Sequence, residues 1–113
     1  MEEKKMAEFT LNEMQEMQRA LQEQYKHKWE PICPEAGQNK LLWMIGEIGE
    51  VIDIVKKNGA QKASSDETLR KDLIEEMSDV LMYYNDVMLC YGISVEELSK
   101  VYKEKFERNM KRW

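Results

Sequence analysis

The chain has 113 residues, 42% of them hydrophobic and 35% charged, and carries a net charge of −5. That acidity argues against a nucleic-acid binder held by phosphate contacts, which needs a basic stripe, although a bound metal ion would reverse the sign locally. Two prolines and five glycines favour long helices over a turn-rich β fold, and the length fits one domain, residues 1–113, with room for a partner subunit to supply part of the burial.

The opening MEEKKMAEFT is charged and lacks the apolar core of a signal peptide, and residues 1–9 are expected to fray. No run approaches the ~20 apolar residues of a membrane span, so the expected setting is cytoplasmic, without a membrane partner. Thr10-x-x-Glu13 has the form of a capping box, and Leu11, Met14, Met17, Leu21 and Tyr25 then recur at helical spacing. The spacing predicts a helix over about 10–27, packed along that single apolar stripe. In HKWEPICPEAGQ, Pro31 and Pro34 disfavour helix in the residues before them. Trp29 and Ile32 in this stretch either fold back onto the core, the commoner fate of such side chains, or flank a ligand pocket.

A second helix is expected from Gln38 to the stop signal Asn58-Gly59, with Lys56 and Lys57 complementing the dipole in its last turn. Leu41, Met44, Ile45, Ile48, Val51, Ile52 and Val55 form its apolar face, and Trp43, Glu47, Glu50 and Ile54 share the edge beside it. Gly46 and Gly49 each weaken the helix by about 1 kcal/mol relative to alanine, which predicts a close approach there by a helix or a ligand. AQKASSDETLRK reads as a flexible connection, and Ser65 or Asp66 caps a third helix that runs to Tyr91, with Gly92 as its stop. Along it Asp72, Glu76, Asp79, Tyr83, Asp86 and Cys90 fall near one line, while Leu73, Val80, Leu81, Tyr84, Val87 and Met88 fill the adjoining side. So apolar a helix calls for a covering partner in so short a chain. Ser94-x-x-Glu97 opens a fourth helix, on which Lys105, Asn109 and Arg112 share one face. Cys33 and Cys90 are too few for a disulfide framework or a thiolate metal site and read as reduced thiols.

Glu47-x-x-Glu50 and Glu76-x-x-Asp79 each present two carboxylates on one helix face. Taken singly these are ordinary solvated charges. Taken together, an antiparallel hairpin of the two helices would set the pairs face to face, where a hard divalent cation, Mg²⁺ with phosphate oxygens as further ligands, is the natural partner. A di-iron bundle needs Glu-x-x-His pairs, and His27 is the only histidine. An EF-hand is excluded by the absence of its loop spacing.

GEIGE, then EEMSDVLMY, then Lys105-x-x-x-Asn109-x-x-Arg112 resembles the MazG-like all-α nucleoside triphosphate pyrophosphohydrolases, the group that includes dCTP pyrophosphatase and dimeric dUTPase. The resemblance covers roughly residues 38–112. It implies a four-helix subunit in a homodimer or homotetramer that hydrolyses a nucleoside triphosphate to the monophosphate and pyrophosphate with Mg²⁺, or Mn²⁺ as substitute. A deoxy-pyrimidine nucleotide is the substrate to test, with the base unspecified. Residue by residue, it implies Glu47, Glu50, Glu76 and Asp79 as metal ligands. Tyr83 matches a tyrosine of the substrate site, and Lys105, Asn109 and Arg112 match positions on the triphosphate or ribose. Trp43, where the chain departs from the family's usual aliphatic run, shares a face with the acids, and it and Tyr83 either stack on the base or pack in the ordinary way. Glu50 is then the candidate to accept a water's proton, and Lys105 with Arg112 would offset charge on the leaving pyrophosphate. The competing reading of that basic set is a helix end complementing its dipole. The competing function is a non-catalytic helical oligomer that binds a nucleotide or a partner protein.

Overall fold

The computed structural model describes residues 8–113, so most of the segment expected to fray lies outside the described residues. These fold into five helices: α1 Leu11–Gln24, α2 Pro34–Asn58, α3 Ala60–Ser65, α4 Glu67–Cys90 and α5 Val95–Arg112. The four expected helices are present, and α3 is the correction. The stretch read as a flexible connection is helical because Ala63 seats a small side chain, only 1% exposed, where α3 meets α2 and α4. Glycine makes the abrupt passage into it possible, since Gly59 adopts a φ of 88° that other residues resist. Gly92 does the same after α4 with a φ of 64°.

Helix ends follow local chemistry. α2 begins at Pro34 rather than Gln38, because a proline in the first turn forfeits only an N–H that has no helical partner. Asp66 caps α4, its Oδ1 accepting from the N–H groups of Thr68 at 3.0 Å and Leu69 at 3.2 Å. Ser94 and Glu97 complete a capping box on α5, with bonds of 3.1 and 3.0 Å in the two directions. Thr10 makes half of one, accepting from the Glu13 N–H at 3.1 Å.

The centre of the fold is α2 against α4. Gly37 meets Tyr91, Lys40 meets Asp86, Trp43 meets Tyr83, and Glu47 meets Glu76 and Asp79. As numbers rise along α2 they fall along α4, so the two helices run antiparallel. α1 lies on α4 and touches α5, while among the helices α5 packs only on α1. The face α1 buries is only in part the predicted apolar stripe, of which Met14, Leu21 and Tyr25 are half-buried. Leu11 and Met17 are exposed, and Gln15, Gln18 and Gln22 are buried. Their carboxamides are satisfied across the interface: Gln18 and Gln22 each donate to Asp86 Oδ1 at 2.8 Å, and Gln15 donates to the Ile93 carbonyl at 3.1 Å. Satisfied amides can occupy interior positions that unpaired ones cannot.

The predicted apolar face of α2 is largely uncovered in the single chain, with Ile45 62% and Ile52 56% exposed. Neither Gly46 nor Gly49 is approached: a Cβ at either would meet nothing within 4 Å. The expectation of a close backbone contact there therefore fails within the chain, and Gly37, against the Tyr91 ring, is the glycine that has one.

Because α5 has little tertiary support, its cap matters to its order. Ser94→Ala should lower stability by about 1 kcal/mol in urea unfolding, with the loss of helicity confined to α5 by amide exchange.

Candidate active site

Packing α2 against α4 brings acids from both helices to one place. Glu47, Glu76 and Asp79 each present a carboxylate oxygen, all within 4.8 Å of one another, and all three residues are half-buried. Glu50, one turn along α2, is exposed at the rim. Three of the four carboxylates expected at the site thus converge, with the fourth at their edge. The Glu76 carboxyl is held above its usual range, first by burial, then by the charge of Asp79, by a hydrogen bond with Glu47, and by the charges of Glu47 and Glu50. Like charges so close resist joint ionisation, and a cation is what relieves them. The donors are all hard oxygens without histidine or thiolate, a set that suits Mg²⁺ or Mn²⁺.

Beside the acids lies a cavity of about 460 Å³, lined among others by Trp29, Trp43, Tyr83, Lys40, Asp86 and Asp79. Asp79 belongs to both the acid group and the cavity wall. Trp43 and Tyr83 meet edge to face with centroids 6.1 Å apart, and Trp29 is stacked on Tyr25 at 4.8 Å. Trp29 thus flanks the cavity rather than entering the core, and Ile32 is likewise exposed. The Tyr83 hydroxyl is pushed above its usual range by burial and then by the charges of Glu47, Asp86 and Asp79, so it stays protonated as a hydrogen-bond donor.

Sequence reading missed the cavity's charged lining. Lys40 is 3% and Asp86 4% exposed, with Nζ 3.7 Å from Asp86 Oδ2. The same ammonium lies 5.1 Å from the Trp43 ring centroid and 5.9 Å from that of Trp29. Asp86 did stand on the line of Glu76, Asp79 and Tyr83 along α4, which was the available signal. Lys40 carried none, since a lone lysine in a charged chain reads as surface. Lys105, Asn109 and Arg112 line a surface depression of their own with Arg108 and Lys111, and α5 does not pack against the helices that hold the acids. The single chain therefore does not join the basic set to the carboxylates. His27 is exposed, and Cys33 and Cys90 are free thiols.

Residues 34–112 match the family model for the MazG nucleotide pyrophosphohydrolase domain, and the chain belongs to that family. No curated protein and no solved structure matches it. Among the described residues, no helix is long and apolar enough to cross a membrane.

The raised Glu76 carboxyl has a thermodynamic consequence. The folded state holds its proton more tightly than the unfolded chain, so the associated stability is present below the ordinary glutamate range and is lost as pH rises through the raised value. In EDTA, Glu76→Gln should therefore melt higher than the wild type at neutral pH, and the gap should close in acid. Thermal unfolding at both pH values measures this.

Proposed function

We propose that this chain hydrolyses a nucleoside triphosphate to the monophosphate and pyrophosphate with the help of Mg²⁺, for which Mn²⁺ can substitute. The observation that carries the reading is the convergence of Glu47, Glu76 and Asp79 beside an aromatic cavity, in a chain of the MazG family. These three, with Glu50 at their rim, are the residues that would hold the cation. When bound, the cation supplies neutralisation of triphosphate charge that the acids would otherwise repel. The chain's own groups do the rest. Trp29, Trp43 and Tyr83 accept the base against their rings, fixing where the phosphates fall relative to the acids. Glu50, exposed to solvent, accepts the proton of the water that attacks the α-phosphorus. Tyr83 donates a hydrogen bond from its protonated hydroxyl.

Lys105, Asn109 and Arg112 contact the triphosphate and offset charge on the departing pyrophosphate, Arg112 through its two-pronged guanidinium. Because α5 stands away from α2 and α4 within one chain, these residues serve the acids of a second copy. Association would also cover Ile48, Val51, Ile74, Met77 and Leu81, which line an apolar groove between α2 and α4. Ile48, Ile74, Met77 and Leu81 are at least 40% exposed in the single chain. The working form is thus a homodimer or homotetramer.

Incubation with a panel of nucleoside and deoxynucleoside triphosphates should release monophosphate and pyrophosphate with Mg²⁺ and nothing with EDTA. Release of orthophosphate and diphosphate would overturn attack at the α-phosphorus, and a folded protein inert on the whole panel would favour a binding module. Glu76→Gln should lower kcat by on the order of 10²-fold or more, with helicity retained. A second outcome tests the division of labour between copies. Inactive Glu76→Gln and Arg112→Ala chains, unfolded and refolded together, should regain part of the wild-type rate, whereas a site complete within one chain would gain nothing from mixing.

A further inference from the structure

The cavity holds a charge pair that fold stability does not account for. Lys40 and Asp86 are both more than nine-tenths buried, yet their closest atoms stand 3.7 Å apart, beyond hydrogen-bond range. Burying two ions is costly, and the cost is recovered only where geometry is good and the remaining donors and acceptors are satisfied. Asp86 is satisfied on one side only: Oδ1 accepts from Gln18 and Gln22 at 2.8 Å each, which locks the carboxylate in place. Its Oδ2, and the ammonium of Lys40 within reach of both indoles, are left to the cavity that both residues line, and they are its deeply buried charged groups, since Lys28 and Glu30 of the same lining are not buried.

We infer that Lys40 and Asp86 are specificity-determining residues that read the edge of the nucleotide base, and that the preferred base carries a lactam edge, a ring N–H beside a ring carbonyl. The inference rests on the nucleotide reading of the site. An anionic acceptor beside a cationic donor is complementary to that edge: Asp86 Oδ2 accepts from the ring N–H, and Lys40 donates to the carbonyl oxygen, the most electron-rich atom of the base. Trp29, Trp43 and Tyr83 supply the apolar walls for the ring faces. Uracil, thymine, guanine and hypoxanthine present such an edge. Held in the same orientation, cytosine and adenine set a bare ring nitrogen against Asp86 Oδ2 and an amino group against Lys40, so that acceptor faces acceptor and donor faces donor. A site that fixes charged partners this way rejects a base lacking the matching group, because its buried polar atoms are then left unpaired.

The test uses nucleosides, which need neither metal nor turnover, so it can fail while the pyrophosphohydrolase reading stands, and the converse. Binding of uridine against cytidine, and of inosine against adenosine, is followed by quenching of indole fluorescence in EDTA. Each pair shares its sugar and ring size and differs at the edge. The wild type should bind the lactam member at least roughly tenfold more tightly in both pairs. Asp86→Asn should abolish the ranking. The double variant Lys40→Met/Asp86→Asn removes both buried charges together, avoids leaving either unpaired, and should keep its helicity while binding both members of a pair alike. Equal binding of uridine and cytidine by the wild type would overturn the inference, as would a folded variant that keeps the original ranking.

Discussion

The constraint on which the structure turns is the mutual repulsion of Glu47, Glu76 and Asp79. Helix packing ordinarily places apolar groups where two helices touch, and here it delivers three carboxylates to one small volume. The Glu76 carboxyl is held above its usual range first by burial and then by the charges of its neighbours. A fold that keeps such a contact gives up stability where nothing offsets the charges, and the antiparallel pairing of α2 with α4 is what maintains it.

Around that point the interior is thin and unusually polar. Among the described residues no large side chain is fully buried, and the buried set includes Gln15, Gln18, Gln22, Lys40, Asn85 and Asp86. The glutamine face of α1 packs through hydrogen bonds, Gln18 and Gln22 fixing Asp86 and Gln15 the Ile93 carbonyl. Burial that the single chain lacks remains available on the outward apolar faces of α2 and α4. The proposed assembly and the proposed chemistry thus draw on the same two helices that centre the fold, and the proposed role for α5 across copies follows from its standing apart from them.

Much of this was legible in the sequence, for identifiable reasons. Capping residues and glycine stops marked the long helices because they act locally, through one or two hydrogen bonds or a single backbone angle. The paired acids were legible because an i, i+3 spacing fixes a shared face whatever the tertiary packing. What failed was inference about what a face meets. Leu11 and Met17 looked like part of the inner stripe of α1, but beside half-buried Met14, Leu21 and Tyr25 its most buried positions are glutamine, since hydrogen-bonded partners on α4 and at Ile93 satisfy the amides. Gly46 and Gly49 looked like contact points and meet nothing within the chain. Lys40 was invisible for the same reason: its role depends on Asp86, Trp29 and Trp43, brought to it from elsewhere in the chain.

The two empty-sided glycines have a mechanical consequence. Gly46 and Gly49 flank Glu47 and precede Glu50, and each lowers the intrinsic stability of the helix by about 1 kcal/mol relative to alanine. With nothing against either glycine, α2 has its weakest intrinsic helix propensity at the very turns that carry its carboxylates. The acids of α4 sit on a helix without glycine, so the intrinsic support of the two sides is unequal. In the proposed reaction, such an arrangement would let one side of the site adjust to the substrate without asking the rest of the fold to move.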